Sequence, residues 1–235
     1  MSESEKLKAN AEQVNVQAQY KLGMMYLNGE EKEGITQDLG KAIDCFDKYS
    51  YAVELQENLS LAYFNLGQSY FWEKNGAVRD LVKAEGCYYK AGKFVQEGDA
   101  KLKKDLSQEY FNLGQSYFWE KNGAVRDLVK AEGCYCKAEK FVQEGDAKLK
   151  KDLSQDYFNL GQSYFWKTNG GKQNLTKAEE CYCKAEKLLQ EEDYELQRYL
   201  CAVYFNLGES YRLRANGTEE DHAKAKKYRE KSQQG

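Results

Sequence analysis

The 235-residue chain contains no proline, so no helix interior is interrupted by a residue that lacks an N–H and locks φ. Histidine occurs once, as His222, with no cysteine or carboxylate arrangement beside it, which leaves no evident general base. Charge of one sign is also lacking: 35 basic and 38 acidic side chains leave a net charge of −3. That is too small to draw the chain to phosphate backbones or anionic lipid, so nucleic acid and membranes are not expected partners. Long apolar runs are missing as well. Met1 to Ala11 is polar and charged, without the apolar core of a signal peptide, and no later stretch approaches a membrane span. A soluble, cytoplasmic protein is expected.

Glycine clusters of the phosphate-cradling kind are absent, because the glycines recur singly at packing and turn positions. The seven cysteines are an odd number. Five of them, Cys87, Cys134, Cys136, Cys181 and Cys183, recur at related positions, which reads as packing thiols in a reducing compartment. Cys134 and Cys136, like Cys181 and Cys183, are two apart on a helix and point about 200° apart, so neither pair can hold one zinc ion. No metal, no cofactor and no catalytic activity are expected.

What the chain has is repetition. With 41% apolar and 14% aromatic residues it can build a substantial core. Tyr63-Phe64-Asn65-Leu66-Gly67 returns at Tyr110, Tyr157 and Tyr204, each 47 residues after the last, which is the mark of a solenoid. Leu59–Asp105 and Leu106–Asp152 differ at only four positions: Leu61/Gln108, Ala62/Glu109, Tyr89/Cys136 and Gly92/Glu139. A divergent first copy surrounds Tyr20 and a truncated last one ends at Gly235. The reading is a polar segment over 1–13 and one repeat domain over 14–235, in five units of about 14–58, 59–105, 106–152, 153–199 and 200–235.

Each unit divides into two helices. Asn28-Gly29, Asn75-Gly76, Asn122-Gly123, Asn169-Gly170 and Asn216-Gly217 supply left-handed conformations that stop the first helix. The second helix starts at a capping residue four positions before an alanine: Asp38, Asp80, Asp127, Asn174 and Asp221. Asp99 and Asp146 can cap the following first helices. On the first helix Tyr63, Leu66, Gly67 and Tyr70 share the buried side. Glycine costs about 1 kcal/mol there against alanine, so Gly67, Gly114, Gly161 and Gly208 imply close approach of the second helix.

These residues resemble known families. Leu66-Gly67, Tyr70, Ala84, Tyr88 and Ala91 look like the small/large signature of tetratricopeptide repeats. Ala18 to Gly23, with Tyr26, Asn28-Gly29, Gln37-Asp38 and Lys41-Ala42, is similar to Sel1-like repeats. The second helix, read as running to Gln96-Glu97-Gly98-Asp99, resembles the extended repeats of spindle-orientation adaptors and kinesin light chains. The resemblance covers about Val14 to Gln234 and implies an all-α, right-handed superhelical solenoid of antiparallel helix hairpins. It also implies that Asn65, Asn112, Asn159 and Asn206 face a concave groove and hydrogen-bond the main chain of a bound peptide.

The same stripe carries Gln68, Gln115 and Gln162 and ends on Trp72, Trp119 and Trp166. A carboxamide offers both a donor and an acceptor, as a peptide group does, and the indoles can form apolar pockets that select side chains. The function expected is therefore a protein-interaction module that holds an extended peptide segment of a partner. Two alternatives stand beside it. The amides can merely solvate the surface or bond one another between repeats. The chain can also be a scaffold with weak end-to-end self-association, or an engineered array without a natural ligand.

Overall fold

The computed structural model describes residues 5–6, 15–48, 50, 52, 55–166, 173–190, 192–213 and 218–233. Most of the polar segment over 1–13, and the expected turns at Asn169-Gly170 and Asn216-Gly217, lie outside these residues. Ten α-helices follow one another among the described residues: α1 (Val16–Asn28), α2 (Leu39–Asp47), α3 (Gln56–Trp72), α4 (Leu81–Phe94), α5 (Ala100–Trp119), α6 (Leu128–Phe141), α7 (Ala147–Phe165), α8 (Leu175–Leu188), α9 (Tyr194–Arg212) and α10 (Glu219–Ser232). The contacts group them into two compact units, one over 1–116 with 120–125, the other over 117–119 with 126–235.

The punctuation read from sequence acts at the atomic level. Asp38, Asp80, Asp127 and Asn174 each occupy the N-cap of a second helix and accept from the amide three residues on, at 2.9–3.0 Å. Each cap also donates its own N–H to a first-helix tyrosine carbonyl: Asp38 to Tyr26, Asp80 to Tyr70, Asp127 to Tyr117 and Asn174 to Tyr164, at 2.9–3.1 Å. One residue thus starts the second helix and ties it to the first. The fifth repeat departs from this register. There Thr218 is the cap and Asp221 is the third helical residue, the two bonding reciprocally in a capping box.

Three other expectations are corrected. Asn75 and Asn122 do adopt positive φ, but Glu73 and Glu120 do so as well, at 53° and 55°, and they are the residues that end α3 and α5. Asp99 caps α5 by accepting from Leu102 N at 2.9 Å, whereas Asp146 makes no cap bond to α7 and accepts from Gln143 N instead. The second helix stops at Phe94 rather than near Asp99. The extra length lies in the first helices, which reach 20 residues in α5 against 14 in α4.

Packing within a hairpin centres on the predicted glycine crossing. A Cβ built on Gly67 would stand 2.4 Å from Cε1 of Tyr88, and one on Gly161 would stand 2.6 Å from the same atom of Tyr182. Nothing larger than glycine lets those rings lie flat on the first helix. Ser60 Oγ donates to Ala91 O at 2.8 Å, and Ser154 Oγ to Ala185 O at 2.6 Å, sealing the same contacts. The tyrosines then relay from one repeat to the next: Tyr88 meets Tyr110 at 6.0 Å, Tyr135 meets Tyr157 at 5.8 Å and Tyr182 meets Tyr204 at 6.4 Å. All six are fully buried, and edge-on rings at such distances add to the apolar burial.

A lysine and an acid clasp the hydroxyls of three core tyrosines, Tyr63, Tyr204 and Tyr211. Tyr63 Oη donates to Asp47 Oδ1 at 2.5 Å while Lys90 Nζ holds both Asp47 oxygens at 2.6 Å. Tyr204 Oη donates to Glu186 at 2.9 Å, and Lys231 pairs with that same carboxylate. Tyr211 Oη donates to Glu179 at 2.9 Å, with Lys224 at 3.3 Å. Burial pushes Glu179 up, but the neighbouring Tyr228 hydroxyl, the hydrogen bond from Tyr211 and the charge of Lys224 hold it below the usual carboxylate range.

Candidate partner-binding face

The first helices present the expected stripe to solvent. On α3, Leu61 is 53% and Trp72 42% exposed, with Asn65 and Gln68 half-buried between them. Trp119 is 48% and Trp166 59% exposed. Each indole stands edge-on against the buried phenylalanine that precedes it: Trp72 on Phe71 at 4.6 Å, Trp119 on Phe118 at 4.6 Å and Trp166 on Phe165 at 4.7 Å. The rings are thereby held on a rigid base while half their surface stays wet. Asn112, Gln115, Asn159, Gln162 and Asn206 are likewise half-buried.

The amides are not equally available. In the first compact unit a buried carboxylate, Glu109, gathers donors from two helices. It accepts from Gln68 Nε2 at 2.8 Å, from Trp72 Nε1 at 3.1 and 3.2 Å, and from Asn112 Nδ2 at 3.3 Å. Burial and then Glu109 push the adjacent Tyr88 phenol well above its ordinary range. Gln108 Nε2 donates to Asn112 Oδ1 at 3.2 Å, and Gln155 repeats that contact with Asn159 at 3.3 Å. Asn65, Gln162 and Asn206 have no such side-chain partner among the described residues. Gln68 thus bonds into the next repeat, but to a carboxylate rather than an amide, and Asn112 and Asn159 bond side chains of their own helix, while Asn65, Gln162 and Asn206 keep both carboxamide groups.

Glu109 was not singled out from sequence, although a signal existed. It is one of the four differences between repeats two and three, standing where Ala62 stands one repeat earlier. Asp156 occupies the same place in repeat four, buried, and accepts from Tyr135 Oη at 3.1 Å. In repeat five the position is Val203, and the Tyr182 hydroxyl has no hydrogen-bond partner among the described residues. In the last repeat the stripe becomes charged, with Glu209 bridged to Arg212 at 2.7 Å and Arg229 at 3.7 Å.

No group of three or more histidines, cysteines, aspartates or glutamates that could hold a metal occurs among the described residues. No described helix is long and apolar enough to cross a membrane. A cleft of about 580 Å³ lies beside α7, but Lys151, Gln190 and Asp193 line it rather than the amides and indoles, and Lys151 is already paired with the buried Asp193.

Hairpins that repeat one glycine crossing, one capped turn and one tyrosine relay define an all-α helical-repeat solenoid. The chain belongs to the Sel1 repeat family, whose model matches residues 16–48, 60–93, 110–140, 154–188 and 202–232. Among solved structures it is similar to a Sel1 repeat protein from Oxalobacter formigenes, at 20% identity over 99% of this chain and 76% of that one, with a TM-score of 0.33. It is similar also to BtubC (BKLC) from P. vanneervenii, at 20% identity over 98% and 85% with a TM-score of 0.33. A third is c5321, an antigen with an SLR fold from uropathogenic Escherichia coli, at 18% identity over 99% and 72% with a TM-score of 0.23. No curated protein matches the sequence. Sel1 repeats are generally protein–protein interaction modules and typically non-catalytic scaffolds.

Proposed function

We propose that this chain is a cytoplasmic adaptor that binds an extended segment of a partner protein along the first-helix stripe. The observation that carries the reading is the set of three half-exposed tryptophans, Trp72, Trp119 and Trp166, each braced by a buried phenylalanine. Exposed indoles on a rigid base suit anchoring, because their apolar area is large and little side-chain entropy remains to be lost on binding. Asn65, Gln162 and Asn206 offer donor and acceptor to a peptide group. Gln68 and Asn159 already spend one group within the chain and contribute through the other, whereas Asn112 spends its oxygen on Gln108 and its nitrogen on Glu109 and contributes through the second N–H and the second lone pair. Three cysteines, Cys87, Cys134 and Cys181, are buried as thiols in the hairpin cores, which fits a reducing compartment.

The test uses a displayed peptide library screened against the wild-type chain. Peptides that enrich are titrated against Trp166→Ala and against an Asn112→Ala, Asn159→Ala double variant. Losses of about tenfold or more for each variant are expected, in line with truncation of interface anchors. Unchanged affinity for every enriched peptide removes the stripe from the account, and so does a library from which nothing enriches.

A further inference from the structure

Cys136 on α6 stands where repeat three meets repeat four, inside the second compact unit, and is half-buried. Lys184 Nζ, from α8, lies 2.7 Å from its Sγ and 5.1 Å above the Tyr157 ring. Tyr157 Oη is 3.6 Å from the same sulfur and 3.3 Å from Glu139, which also holds Lys187 at 2.9 Å. The lysine position recurs in other repeats with other partners. Lys90 sits on the carboxylate of Asp47. Lys231 sits on Glu186 and, at 3.3 Å, on the Tyr204 hydroxyl. A carboxylate partner allows only an ion pair, whereas a sulfur in contact with an amine has a redox chemistry open to it.

We propose that Cys136 and Lys184 form a reversible covalent link between consecutive repeats when a peroxide oxidises the thiol. The sulfur attacks one peroxide oxygen and the O–O bond breaks, giving a sulfenic acid and water. The Lys184 nitrogen then attacks the sulfur. The S–O bond breaks, hydroxide leaves with the amine proton as a second water, and an S–N sulfenamide bond remains. Overall one thiol and one amine lose two hydrogens while one peroxide becomes two waters. A thiol reductant reverses the step, freeing the amine by attack on the sulfur and then regenerating Cys136 by a second exchange.

The surroundings favour capture over further oxidation, because the amine is already in contact with the sulfur and needs no diffusion to reach it. Burial pushes Lys184 down, while its bond to the Cys136 sulfur and the charges of Glu132 and Glu139 push it up, with a net rise. Conversion of the sulfur to a neutral sulfenic acid withdraws the sulfur's share. The lysine then moves toward the neutral amine that the second step requires.

The full chain is treated with hydrogen peroxide, alkylated, digested and mapped by mass spectrometry. The expected product joins the peptides bearing Cys136 and Lys184 with a mass two hydrogens below their sum. It disappears on thiol reduction and is absent from Lys184→Arg, while Cys183, whose equivalent lysine is held by Glu186, yields no such link. Cys136 recovered as a sulfinic acid, in a disulfide, in an oxygen-containing bridge, or unmodified where Cys183 is oxidised overturns the proposal. The wild-type map alone decides between these outcomes, so the test stands even if the variant fails to fold.

Discussion

Gly67 and Gly86 lie on the two helices of one hairpin, and alanine at each should move stability in opposite directions. Both replacements gain about 1 kcal/mol of helix propensity. At Gly86 an added Cβ meets nothing within 4 Å, so that gain stands alone. At Gly67 the Cβ would lie 2.4 Å from Cε1 and 2.5 Å from Cδ1 of Tyr88. Tyr88 is fully buried, with Phe64 at 5.8 Å and Tyr110 at 6.0 Å, so its ring has nowhere to withdraw. Overpacking of a filled core costs about 1–3 kcal/mol, and a contact this short belongs at the upper end. The two variants should then differ by about 2–3 kcal/mol, with Gly86→Ala above wild type and Gly67→Ala below it. With a urea dependence of about 1–3 kcal/mol per molar, the unfolding midpoints should separate by roughly 1 M or more. Far-UV circular dichroism in urea reads this directly, provided the slopes of the two transitions agree. If Gly67→Ala proves as stable as Gly86→Ala, the hairpin does not pack through this crossing and the account of the fold is wrong at its centre.

Removal of the buried carboxylate in Glu109→Ala deprives three donors of an ionised acceptor, each bond being worth about 1.5–3 kcal/mol at most. Gln68 and Trp72 reach water, and relief of a buried charge offsets part of the rest, so a net loss of about 1–2 kcal/mol is expected, with a shift in Trp72 fluorescence. An unchanged melting temperature and an unchanged emission spectrum would show that Glu109 organises nothing. Acid should weaken the last hairpin through Glu179, which the folded state holds below its ordinary value. Such a group contributes in full above its unfolded pKa and loses its contribution as pH falls through the folded one. Melts at neutral pH and near pH 3, below the ordinary carboxylate range, should show a smaller acid loss in Glu179→Gln than in wild type, and equal losses would refute the assignment.

The periodic parts of this fold are legible in the sequence because they depend on local chemistry. An aspartate four residues before an alanine marks a helix start whatever surrounds it, and Asp38, Asp80 and Asp127 behave alike for that reason. Asp221 misleads because the same spacing is satisfied when the aspartate is the third residue of a capping box, and only Thr218 upstream distinguishes the two. The second helix reads as continuing past Phe94 because Gln96-Glu97-Gly98-Asp99 carries a helix-permissive start and a stop signal. The structure instead turns at Val95, whose φ and ψ are extended. Solvent exposure of Trp72, Trp119 and Trp166 follows from the stripe. The loss of Gln68 to Glu109 does not, because it depends on which side chain the next repeat places opposite, and no periodicity within one repeat encodes that.

Repeats two and three show where such information resides. Their shared residues build the hairpin, with its caps, glycine crossing and tyrosine core, and those surroundings are the same in every copy. Of the four positions that differ, three carry in repeat three a side chain that meets a neighbouring repeat, and the fourth faces solvent. Leu61 stands 53% exposed where Gln108 bonds to Asn112. Ala62 gives way to Glu109, which draws in Gln68 and Trp72 from the preceding repeat. Tyr89 gives way to Cys136, on the Lys184 amine of the following one, and Gly92 to Glu139, which takes Tyr157 and Lys187. A hairpin can be copied unchanged because it is its own environment, whereas a junction residue answers to a neighbour that differs along the array. Near-identical repeats therefore do not present identical surfaces, and the proposed partner would meet different chemistry at Leu61 and Asn65 than at Gln108 and Asn112.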